Sequence, residues 1–104
     1  MKALFITLLL LIVSATAIAK TVEVAQKDKE FTVAEVEINK GDVVRFVNED
    51  PFFHNVYSLS DTKLFDLGSF PKGEYRDVTF DQAGTVEVEC AIHPAMKMKV
   101  IVKE

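Results

Sequence analysis

Thr85-Val86-Glu87-Val88-Glu89-Cys90-Ala91-Ile92-His93-Pro94-Ala95-Met96-Lys97-Met98-Lys99-Val100-Ile101-Val102-Lys103 sets two runs of strict alternation on either side of a short loop. Successive side chains of a strand point to opposite faces, so alternation of apolar and charged residues marks a strand with one buried and one solvated face. Val86 and Val88 alternate with Glu87 and Glu89; Met98, Val100 and Val102 alternate with Lys97, Lys99 and Lys103. The expected unit is a pair of strands, Thr85 to Cys90 and Met98 to Lys103, joined by a tight loop.

The same period runs outward through the chain. Thr21 to Ala25, Phe31 to Ile38, Val43 to Asn48, Phe53 to Leu59 and Tyr75 to Phe80 are short β-rich runs, parted by turns such as Asn39-Lys40-Gly41-Asp42 and Asp81-Gln82-Ala83-Gly84. Ser60 to Gly73 is the least regular stretch, broken by Gly68, Pro71 and Gly73, and is expected to form a loop with a short helical or strand-like piece. About seven short strands without an amphipathic helix predict an all-β domain, a small antiparallel sandwich or barrel. The charges on the alternating runs then form a solvated sheet face.

Residues 1–19 carry Lys2, an apolar run from Ala3 to Val13 and the small-residue box Ala17-Ile18-Ala19, the pattern of a secretory signal peptide cut before Lys20. The apolar run is shorter than the roughly 20 residues a membrane helix needs. An uncleaved N-terminal anchor is the competing reading. Residues 20–104 make one small domain, expected to be monomeric, with no membrane span after cleavage. The whole chain has a formal charge of −4. Loss of Lys2 makes the mature domain more negative still, which argues against a nucleic-acid partner. An exported domain with a single cysteine forms no internal disulfide, so Cys90 is free, paired between chains or bound to a metal.

The loop itself favours metal. Cys90, His93 and Met96 bring a thiolate, an imidazole and a thioether together within seven residues, and the chain has two histidines, the other being His54. Two histidines, one cysteine and a weak axial methionine are the ligands of type 1 (blue) copper. The metal ligands expected are His54, Cys90, His93 and Met96. Each has a plainer role in competition: Cys90 as a small buried hydrophobe, His54 as a satisfied loop residue, Met96 as a core filler. Met98 is the rival axial ligand, although its parity with Val100 and Val102 points it into the core. Asn55, next to His54, is a candidate brace that hydrogen-bonds the backbone of the Cys90 loop. Phe52, Phe53 and Pro94 are candidates for an apolar collar around the metal end.

At these residues the chain resembles the cupredoxins, within them the plastocyanin and amicyanin group. Cys90-x-x-His93-Pro94-x-Met96 is similar to the short ligand loop of amicyanins, and the Lys99-Val100-Ile101-Val102 strand after it sets Met96 at the axial position. Gly41-Asp42-Val43-Val44-Arg45-Phe46-Val47-Asn48 resembles the family's G-D-x-V-x-F-x-N strand, and His54-Asn55-Val56 its H-N-V ligand segment. Three positions depart from the common pattern: Ala91 after the cysteine, Phe52-Phe53 before the histidine, and Met98.

The resemblance implies a Greek-key antiparallel β-sandwich with one copper, serving as a periplasmic electron carrier that shuttles one electron as Cu(II)/Cu(I) between redox proteins. A c-type cytochrome or a dehydrogenase are the partner types expected, and His93 the expected exit for the electron. The alternative is copper storage, or a chaperone delivering copper to an exported enzyme. Catalysis ranks below both, since a site saturated by protein ligands leaves no open position for substrate.

Overall fold

The computed structural model describes residues 18–104. The expected signal peptide lies outside the described residues, apart from Ile18 and Ala19. Nine strands are present among the described residues: β1 (Thr21–Lys27), β2 (Glu30–Phe31), β3 (Glu35–Asn39), β4 (Val43–Asn48), β5 (His54–Ser60), β6 (Lys63–Phe70), β7 (Tyr75–Thr79), β8 (Gly84–Glu89) and β9 (Lys97–Lys103). They form two facing sheets, ordered β2-β1-β4-β7 and β3-β9-β8-β5-β6. The all-β sandwich is as expected, with three differences in detail. β1 runs parallel to β4, and β3 parallel to β9, so each sheet mixes parallel with antiparallel pairs.

The second difference concerns residues 63–70, which form β6, an eight-residue strand hydrogen-bonded to β5. Its alternation is hard to see in sequence because Leu64 faces outward, 71% exposed, and because the strand changes frame. Between the pairs Asn55↔Ser69 and Tyr57↔Asp66, β6 carries one more residue than β5, a β-bulge. Gly68 absorbs it with a φ of 70°, a conformation costly to residues with a Cβ. Phe65 and Leu67 pack against the core before the bulge, and Phe70 is fully buried after it.

The run expected from Phe31 to Ile38 divides into β2 and β3. β2 closes a two-residue hairpin with β1, and its turn residues Asp28 and Lys29 both have positive φ, 54° and 59°.

The core lies between the sheets and is built from one parity of each strand: Val24, Ile38, Val44, Phe46, Val78, Val86, Val88, Val100 and Val102 are all buried. Phe46 is completely buried and meets Phe31 edge-on at 6.3 Å, a contact that adds to the roughly 2–3 kcal/mol from removing a phenylalanine from water. β4, β5, β8 and β9 all have one end at the same pole, where the β4–β5 and β8–β9 connections lie side by side.

Candidate metal centre

Asn48, the last residue of β4, shapes the first connection. Its side-chain amide donates to the carbonyls of Phe52 and Phe70, both at 2.9 Å, and its Oδ1 accepts the Asp50 N–H at 2.8 Å. The segment is thereby folded back so that His54 opens β5 with its side chain wholly buried. In the second connection Cys90 follows β8 and Met96 precedes β9. The Met96 N–H donates to the His93 carbonyl at 2.9 Å, and the Cys90 N–H to the Met96 carbonyl at 3.3 Å, which closes the loop into a tight turn.

These turns bring His54, Cys90 and His93 together, with one ligating atom from each lying within 4.8 Å of the others. His54 Nδ1 lies 3.7 Å from Cys90 Sγ and 3.2 Å from His93 Nδ1. Met96 is 1% exposed and is carried on the same turn. Met98 pairs with Val88 within the β8–β9 ladder and is buried in the sandwich core, as its parity predicts. Two imidazole nitrogens, one thiolate sulfur and a nearby buried thioether fit copper.

The brace expected from Asn55 is present. Its Oδ1 accepts the Ala91 N–H at 2.9 Å, its Nδ2 donates to Asp66 at 3.0 Å, and its own N–H points at Cys90 Sγ at 3.5 Å. The backbone of Ala91 thus makes the contact that its side chain lacks the means to make. Of the expected collar, Phe52 packs on both imidazoles, 5.2 Å from the His54 ring and 5.3 Å from that of His93. Phe53 and Pro94 stand exposed beside it.

One functional residue escaped the sequence reading. Asp50, buried and four residues before His54, accepts a hydrogen bond from His54 Nε2 at 2.6 Å. Its carboxylate also accepts the N–H groups of Asp28 at 2.7 Å and Lys29 at 3.0 Å. The left-handed hairpin turn aims both donors at it. Burial pushes the Asp50 carboxyl up, but the hydrogen bonds from His54, Lys29 and Asp28 outweigh it and hold the group below the usual range. An ionised carboxylate on Nε2 fixes the neutral ring with its Nδ1 lone pair free, the atom that faces Cys90 and His93. The only sequence signal was an acidic residue before a proline in a turn, which is ordinary turn chemistry.

Comparison with known proteins agrees with this geometry. Residues 18–103 match the family described as copper binding proteins, plastocyanin/azurin family. The chain is 30% identical over 77 residues to an amicyanin of Paracoccus denitrificans, a match covering 71% of this chain and 59% of that protein's length. It is similar to the solved structure of a reduced amicyanin variant, at 26% identity and a TM-score of 0.75 over 80% of this chain and 82% of the other. It is also similar to part of a copper-containing nitrite reductase from Thermus scotoductus, at 27% identity and a TM-score of 0.75, covering 88% of this chain but 24% of the reductase. With the family matched from end to end of the domain, and the histidine and cysteine donors gathered at one pole, the chain belongs to the plastocyanin/azurin family of copper binding proteins.

Proposed function

We propose that His54 Nδ1, Cys90 Sγ and His93 Nδ1 hold one copper ion, with Met96 as the weak axial donor, and that the protein is a mobile one-electron carrier exported to the periplasm. The observation that supports this most directly is the convergence of the three donor atoms within 4.8 Å on a rigid two-turn scaffold. Bound copper would supply Cu(II)/Cu(I) redox chemistry. The chain's part is to hold its donors still: Asp50 sets the tautomer of His54, Asn55 ties the His54 segment to the Cys90 loop, and Phe52 excludes water from both rings. A scaffold that holds still lets an electron move with little rearrangement.

His93 is half-buried, and around it Phe53 and Ile92 are 54% and 47% exposed, forming an apolar rim with Pro94 and Ala95. This face suits brief docking of a redox protein such as a c-type cytochrome or a dehydrogenase, with His93 as the point of electron exit. Ready delivery of copper to another protein fits less well, because His54, Cys90 and Met96 are all buried.

The test is the visible spectrum and voltammetry of Cu(II)-loaded protein beside its Cys90→Ser variant. An intense blue band that bleaches reversibly on reduction, and is absent from the variant, is expected. A pale protein, or one that yields its copper readily to a weak acceptor, would replace the carrier with the storage or delivery reading.

A further inference from the structure

At the pole opposite the metal centre a buried carboxylate waits on the N-terminal side of the domain. Asp42 is 6% exposed and fully committed: Oδ1 accepts the backbone N–H of Lys20 at 3.0 Å, and Oδ2 accepts that of Asn39 at 2.9 Å. Its own N–H donates to the Asn39 carbonyl, and its carbonyl accepts from Phe80, each at 2.9 Å. The parallel ladder of β1 with β4 begins at the same point. The Lys20 carbonyl accepts the Val43 N–H at 2.8 Å, the hydrogen bond that starts the parallel pairing of β1 with β4. Ile18, 88% exposed, Ala19 and Lys20 are all solvent-facing, so the bond between Ala19 and Lys20 is open to attack while the nitrogen beyond it is already engaged.

We propose that the chain is processed between Ala19 and Lys20, and that the α-ammonium freed there is captured by Asp42, so that processing itself tightens the fold. The proposal rests on the reading that the protein is exported with its leader removed. One water is consumed at the active site of a processing protease. The Ala19–Lys20 amide breaks, the water's hydroxyl passes to the Ala19 carbonyl carbon, and the nitrogen leaves as the Lys20 amine. The proton shed by the new carboxyl group balances the one the amine takes up. The atom that donated to Asp42 as a neutral amide now donates as a cation. Charge-assisted hydrogen bonds are roughly twice as strong as neutral ones. The carboxylate is prepared for this role: the N–H groups of Lys20 and Asn39 outweigh its partial desolvation and hold Asp42 ionised below the usual carboxylate range. The capture takes place at the far pole, so it leaves the metal centre untouched.

The experiment starts with the intact mass of protein exported from cells, expected to correspond to residues 20–104. Denaturant unfolding then compares that form with one that retains Ala19, in the parent and in Asp42→Asn. The form starting at Lys20 is expected to have a folding equilibrium constant about fivefold larger, a gain that disappears in Asp42→Asn. Should that variant not fold, the α-amino group of Lys20 is titrated by NMR in the unaltered mature protein. It is expected to ionise above the roughly 7.7–8.0 of a free chain end. A mass that includes the whole leader would overturn the removal of the leader and, with it, the capture. A different cleavage point, or a start at Lys20 with unchanged stability and an ordinary amino titration, would overturn the capture alone. The blue band is expected to be identical in both forms.

Discussion

Replacing Asp50 with asparagine removes one negative charge from behind His54 and changes little else in volume. The carboxylate oxygen is 2.6 Å from Nε2, and the imidazole ring separates it from the Nδ1 that faces the donor cluster. That arrangement puts the charge roughly 6–7 Å from a cation held by Nδ1, where at an effective dielectric of ~20 it is worth about 2.5 kcal/mol. The more charged oxidation state gains more from it. For a one-electron couple, ~2.5 kcal/mol corresponds to about 100 mV. Part of the effect is screened by rearrangement of the Asp28–Lys29 turn, so we expect the reduction potential of Asp50→Asn to rise by about 50–100 mV. Protein-film voltammetry gives the number, and an unchanged absorption band establishes that the site is intact. A potential that stays within about 10 mV of the parent, or falls, with the band preserved, would refute the electrostatic coupling of Asp50 to the metal.

Three further outcomes are expected. Asn55→Ala loses the bonds to Ala91 and Asp66, and urea unfolding is expected to register a loss of about 1–3 kcal/mol; a change below ~0.5 kcal/mol would mean that the brace is decorative. Met96→Leu removes the sulfur proposed as axial donor and is expected to raise the potential by on the order of tens of millivolts, whereas Met98→Leu leaves it in place; the opposite pattern by voltammetry would make Met98 the ligand. Asp42, Asp50 and Asp77 all ionise below their ordinary value of 3.8 in the folded protein, so the stability they lend is complete above that value and is lost as the pH falls through their folded values. Thermal midpoints are expected to drop below about pH 4, less steeply in Asp42→Asn, and a parallel pair of curves would count against that residue's part.

The parts of the fold legible in sequence were those where a strand buries one face and wets the other. Val43 to Asn48, rich in β-branched residues, buries every second side chain, and its limits agree with β4 residue for residue. β6 was obscured because Leu64 points outward and a glycine resets the alternation, so no single period fits the strand. The three close donors were legible because soft and borderline ligands are scarce here, one cysteine and two histidines, and because two of them share a loop. Asp50 was not, since carboxylates are plentiful along this chain. What singles it out is burial against two N–H groups of a hairpin more than twenty residues away, a relation that exists only after folding.

The frame change at Gly68 makes the two ends of the β5–β6 hairpin independently editable. A strand counts its faces in twos, and β6 spends its one odd step between Leu67 and Phe70, so the portion near the metal keeps its own count. Adding or removing residues in pairs at the tip, around Ser60 to Lys63, would lengthen or shorten the ribbon without turning Phe70 away from the core. Deleting the single residue Gly68 would make the two strands equal in count, with Leu67 opposite Val56, Ser69 still outward opposite Asn55 and Phe70 still inward opposite His54. A lineage could therefore remodel the distal tip freely while the pole that carries the donors stays in step.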